Sequence, residues 1–206
     1  MNYIAKAGKI PFLFVFFVVA LFFYINGNAF FPEWDSTYGQ VISIYMIMML
    51  VFYVFSTSKT EKRIDSPASI STTQFVFGFI ISYVAITLLT VVGVLSAGEM
   101  AAGLILPTII MQFCVVAPSE ELMFRGVLQD YTGIIVQAIL FALWHSYAYG
   151  IMWYNLTLST GIYSFFVALV FGLILGYLSR LPMFSLPGAI AVHATYNCII
   201  LGALAI

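Results

Sequence analysis

Charge is what this chain of 206 residues has least of. Asp, Glu, Lys and Arg together make up 7% of it, seven basic against eight acidic, for a net charge of −1. So sparse and balanced a set leaves no basic face for nucleic acid, and with 63% apolar residues it excludes disorder, which needs many charges and little hydrophobicity. The two cysteines, Cys114 and Cys198, lie far apart in apolar runs. Their spacing excludes a metal knuckle or a stapled secreted fold, and both read as small packing residues. There is no internal repeat, no low-complexity tract and no second domain. What the chain has in abundance is hydrophobicity, with a mean hydropathy of +1.09, far above that of a water-soluble domain. At roughly 20 residues per crossing, its length accommodates about six to eight spans and no sizeable domain outside the bilayer.

The apolar blocks cover residues 10–25, 38–55, 75–95, 100–116, 133–149, 161–178 and 183–206. They predict an all-α polytopic membrane protein, a bundle of about seven transmembrane helices with room for short re-entrant or interfacial helices. Gly27 and Ala29 form a small-x-small pattern after the first block, but with six further blocks that segment reads as an uncleaved first helix. Basic residues stay on the cytoplasmic side, and Lys6 and Lys9, then Lys59, Lys62 and Arg63, then Arg180 all agree with a cytoplasmic N-terminus. The same count puts residues 96–99 outside and 118–130 near the cytoplasmic face. Residues 150–160 fit either an outer loop or a partly inserted element.

Three charged residues lack a loop to explain them. Glu120, Glu121 and Arg125 stand in the run Ala117-Pro118-Ser119-Glu120-Glu121-Leu122-Met123-Phe124-Arg125-Gly126, directly after an apolar block. Ionisable groups near hydrocarbon cost a few kcal/mol each and therefore pair or line a cavity. Pro118 and Ser119 read as a helix break and N-cap, with both glutamates in the first turn where the helix dipole favours them. The spacing of four lets Glu121 pair with Arg125, while Glu120 points about 100° away. The two histidines lie in later blocks. His145 follows Phe141 by four and His193 precedes Asn197 by four, so each pair shares a helix face.

A carboxylate, two imidazoles and a carboxamide on three helices can meet inside a bundle. Glu120 and His145 can together deprotonate a water, while His193 and Asn197 donate hydrogen bonds to the oxyanion formed at a peptide carbonyl. A rival chemistry takes Glu120, His145 and His193 as three zinc ligands with water in the fourth position.

In these residues the chain resembles the CPBP family of membrane proteases, which comprises CAAX prenyl proteases and bacteriocin-processing enzymes. The matching motifs are Glu-Glu-x-x-x-Arg at Glu120, Glu121 and Arg125, Phe-x-x-x-His at Phe141 and His145, and His-x-x-x-Asn at His193 and Asn197. The resemblance covers residues 107–202 as a catalytic core, within a single transmembrane domain of residues 1–206 whose N-terminal helices, 1–106, match by hydropathy alone. It implies a glutamic-type intramembrane endopeptidase with Glu120, His145, His193 and Asn197 catalytic and Glu121, Arg125 and Phe141 supporting the site. It implies no cofactor, zinc being the alternative. The implied substrate is a membrane-embedded or lipid-anchored peptide or protein; the basic-residue count and the depth of the histidines in their blocks predict a cavity that opens to the cytoplasm and reaches well into the bilayer. Two other functions fit the composition: a silent immunity or scaffold protein of the same fold, and a proton-coupled carrier. The first has no chemical need for both His and Asn at these spacings, and the second lacks a repeated half with broken helices. Oligomeric state is open, since the Gly172 and Gly176 stripe serves internal packing as readily as a dimer contact.

Overall fold

The computed structural model describes residues 45, 47–48, 68–146 and 157–204. Two of the expected apolar blocks, 10–25 and most of 38–55, therefore lie outside the described residues. The described helices belong to one compact unit, Ser56–Ile206. Among the described residues there are helices and no strands. We number them α1 (Ala68–Val91), α2 (Ala102–Met111), α3 (Ala117–Glu121), α4 (Gln129–Leu143), α5 (Leu158–Leu178) and α6 (Ser185–Ile200), with π-helical turns at Gln112–Val116 and Leu122–Leu128 joining α2, α3 and α4 into one continuous path. Three stretches are long and apolar enough to cross a membrane: Ser69–Val91, Ala102–Ser146 and Leu158–Leu178. Large apolar side chains on α1 and α5, such as Ile80, Val84, Leu88, Phe166 and Val170, are about half exposed. Bare apolar surface on that scale suits hydrocarbon, not water.

The middle stretch is two helices, not one. A straight helix of its 45 residues would be about 68 Å long, more than twice a bilayer core. Gly133, with φ 81° and ψ 175°, breaks it inside α4, in a backbone region open essentially to glycine alone. The chain doubles back there: the rings of Phe124 and Phe141 meet edge to face at 5.2 Å, and Glu120 reaches His145 at 3.2 Å. Glu120 lies 13 residues before the bend and His145 lies 12 after it, so each stands roughly 18–20 Å along its own arm.

The remaining helices lock onto this hairpin. Gln129 and Gln137, buried one on each side of the bend, donate to the carbonyls of Gly176 (2.9 Å) and Gly172 (3.0 Å) of α5. The glycine stripe thus packs inward, against Ala138 and Gln137. α1 and α6 run parallel. Near one end the Gln74 side chain donates to the Pro182 carbonyl at 2.6 Å, and a Cβ added at Gly78 would stand 2.6 Å from the Gly188 oxygen. At the other end the Gly98 amide donates to the Ile200 carbonyl at 3.0 Å. Arg180 holds Asp130 at 2.9 Å, which puts the hairpin bend and the α5–α6 turn at the same end of the bundle.

Several expectations are corrected. Pro118 does not break the helix and Ser119 does not cap one: the backbone is helical on both sides, and the Ser119 hydroxyl donates back to the Val115 carbonyl. The π turn makes this tolerable. Pro118 would ordinarily clash with the carbonyl four residues back, at Cys114, but the wider turn over Gln112–Val116 moves that carbonyl aside. The glutamates consequently stand in the middle of an arm and not in the first turn of a new helix. Cys198 is buried as expected, but Cys114 is exposed and faces outward. α5 begins at Leu158, three residues ahead of the expected block, because Thr157 caps it by accepting from the Thr160 amide at 3.3 Å.

Candidate active site

Two arms of the hairpin and α6 bring the singled-out side chains to one point. From the first arm come Glu120, Glu121 and Arg125, each no more than 1% exposed. The helical spacing of four lets Arg125 Nη1 donate to Glu121 Oε1 at 2.9 Å, and the guanidinium lies over the Phe141 ring at 4.0 Å. A desolvated cation over an aromatic face contributes about 2 kcal/mol, so Phe141 stabilises the charge that stabilises Glu121. From the second arm comes His145, tilted against Phe141 with ring centroids 4.1 Å apart and 44° between the ring planes. From α6 comes His193, wedged edge-on between Phe141 and Phe171 at 5.8 Å and 5.6 Å.

The glutamates divide the histidines between them. Glu120 Oε2 stands 3.2 Å from His145 Nε2 and 3.7 Å from His193 Nε2. Glu121 Oε1 stands 2.7 Å from His193 Nδ1. His145 Nδ1 lies 2.9 Å from the Phe141 carbonyl, which can only accept, so that nitrogen carries the proton. By the same logic Glu121, which already accepts from Arg125, holds a proton on His193 Nδ1. Both rings therefore turn Nε2 toward Glu120. Trp144 Nε1 donates to the other Glu120 oxygen at 3.4 Å, limiting rotation of the carboxylate.

This arrangement can bind a proton or a divalent cation. Without a cation, two carboxylates and one guanidinium leave one negative charge, and a proton on the imidazole pair or on Glu120 brings the buried set to neutrality, as burial demands. With one, Glu120, His145 and His193 form the donor set: their ligand atoms all lie within 4.8 Å of one another. Two atoms each 2.0–2.1 Å from a tetrahedral ion stand about 3.3 Å apart, close to the 3.2 Å and 3.7 Å between Glu120 and the two histidines, so the residue types and these spacings fit zinc.

A cavity of about 110 Å³ opens beside the histidines, lined by Phe141, His145, Ser164, Phe171, His193 and Asn197 among others. It has room for several waters. Asn197 forms part of its wall, but its amide nitrogen is already engaged, donating to Gln112 Oε1 at 2.8 Å. Glu120, Glu121, Arg125, Phe141, His145 and His193 thus form one contact set, with Asn197 at its edge. Gln112, Trp144 and Phe171 were not anticipated; a lone carboxamide inside an apolar run was the readable signal for Gln112.

Comparison with known proteins gives one result. Residues 101–199, which contain every side chain of this site, match the family model described as type II CAAX prenyl endopeptidase Rce1-like. No curated protein and no solved structure matches the chain.

Proposed function

From the premise that this chain belongs, through residues 101–199, to the Rce1-like family of type II CAAX prenyl endopeptidases, we propose that it hydrolyses a peptide bond near the terminus of a membrane-anchored, prenylated protein. The observation that carries the reading is the direct approach of Glu120 to His145 at 3.2 Å, beside a cavity with room for water. In this reading a water in the cavity gives its proton to the Glu120–His145 pair while its oxygen adds to the scissile carbonyl. The tetrahedral oxyanion accepts hydrogen bonds from His193 Nε2 and the second N–H of Asn197. On collapse, the proton leaves with the amine. Donation from His193 Nε2 requires a ring carrying both protons, whose charge Glu121 matches from the Nδ1 side. The site opens toward the cytoplasm in this reading, and the whole chain crosses the bilayer about seven times.

The ring tautomers favour a second reading. Each Nδ1 is held by an acceptor, the arrangement that orients metal-ligating histidines. Glu120, His145 and His193 would then hold zinc, which when bound supplies an acidified water and polarises the carbonyl.

The test is cleavage of a prenylated CAAX peptide by the purified protein. Glu120→Gln and His193→Ala are expected to lose about 10²–10⁴-fold in kcat. Full cleavage by both variants overturns the site. Activity that survives a strong chelator supports the metal-free reading; loss restored by added zinc selects the second.

A further inference from the structure

Gln112 stands outside the three sequence motifs, and nothing so far gives it a role. It lies 85 positions from Asn197 in the chain, yet its Oε1 accepts the Asn197 amide at 2.8 Å. An Asn amide has two donor hydrogens and an acceptor oxygen that exchange places when the group flips. With the Gln112 oxygen holding one hydrogen, a flip of Asn197 alone breaks that bond, and the other hydrogen keeps a fixed direction at the wall of the cavity that Asn197 and His193 both line. An unheld amide would present its oxygen part of the time, and an oxygen repels an oxyanion.

The backbone brings Gln112 to this place by a specific device. Eight residues of regular α-helix separate two side chains by about 80° around the axis, so Gln112 and Glu120 would look in different directions. The π turn at Gln112–Val116 inserts one extra residue in that interval, which leaves an effective seven steps and an offset of about 20°. π turns cost helical stability and recur where a side chain must be re-aimed. Here the turn begins at Gln112 itself and brings the carboxamide onto the face of the arm that carries Glu120.

We propose that Gln112 is a positioning residue for the oxyanion-stabilising amide of Asn197, an inference that rests on the endopeptidase reading above. The experiment is a double-mutant cycle on the full-length protein with the prenylated peptide substrate, measuring kcat and KM separately. Asn197→Ala alone is expected to lower kcat about 10²–10³-fold, as for the removal of one oxyanion donor. Gln112→Met, of similar length but without an acceptor, is expected to lower kcat about tenfold with KM unchanged, and to have no further effect when Asn197 is already Ala. Gln112→Glu, which keeps an acceptor at the same reach, is expected to recover more than half of the lost kcat. A purely structural Gln112 would lower kcat equally in both backgrounds, or would not distinguish Met from Glu; either result overturns the proposal while leaving Glu120 and His145 in place. Full activity in Asn197→Ala overturns the oxyanion reading and this inference with it. Thermal unfolding of each variant separates a failure to fold from these outcomes.

Discussion

At the scale of single residues, the centre of the site is a shared carboxylate. Glu121 accepts from Arg125 and from His193 at 2.9 Å and 2.7 Å, so one side chain fixes both a cation and a ring. Removing one partner of a buried ion pair is costly, about 3–5 kcal/mol, because the other charge is left uncompensated. Arg125→Met is therefore expected to destabilise the protein by about that amount, read as a lowered midpoint of thermal unfolding in detergent. Arg125→Lys keeps the charge but gives up the flat group that lies over Phe141, since an ammonium is a compact point charge. It is expected to fold and to lose about tenfold in kcat through a displaced His193. Equal stability of Arg125→Met and the parent would show that Glu121 does not depend on Arg125.

At the scale of elements, two devices do the positioning: a glycine bend and a pair of π turns. Gly133 has no atom within 4 Å of where its Cβ would stand, so Gly133→Ala tests backbone conformation without steric contact. The expected cost is about 1–3 kcal/mol, with a parallel fall in activity; an unchanged unfolding midpoint would mean the bend tolerates an ordinary residue. Deleting Cys114 tests the first π turn. The turn reverts to α-helix, and the seven regular steps left between Gln112 and Glu120 keep the same offset of about 20°, so cleavage is expected to stay within about tenfold, while the lost width of the turn at Pro118 costs about 3 kcal/mol of stability and the exposed position of Cys114 spares the core. What the sequence made legible follows the same division. Pairings within one helix, Glu121 with Arg125, Phe141 with His145 and His193 with Asn197, could be read from spacing because i and i+4 share a face. The convergence of Glu120 with both histidines was read from the expense of burying polar groups. The π turns could not be read, since one extra residue in a turn changes no composition and no hydropathy. Pro118 was taken for a boundary because the carbonyl shift that accommodates it is invisible in the sequence, and Gly133 marked only the start of a block until its φ revealed a reversal.

At the scale of the molecule, the hairpin bend and the α5–α6 turn share one end, tied by Arg180 and Asp130. That ion pair is more than a third exposed on the Arg180 side, and a pair of this kind contributes about 0–1 kcal/mol. Arg180→Gln should accordingly leave stability almost unchanged. The shared end makes a topological prediction: in a background without Cys114, single cysteines at Tyr131 and at Arg180 react with an impermeant thiol reagent from the same side of sealed vesicles, and a cysteine at Thr157 from the opposite side. Labelling of positions 131 and 180 from different sides would overturn this arrangement. The near-equal distances from Gly133, 13 residues to Glu120 and 12 to His145, carry a consequence for how such a chain can change in length. One residue added to either arm slides its carboxylate or imidazole by about 1.5 Å and turns it by about 100°, enough to separate the pair. Growth or shrinkage between Glu120 and His145 is therefore tolerable only in matched steps of about whole helical turns on both sides of the bend, so the two arms must inherit their lengths together.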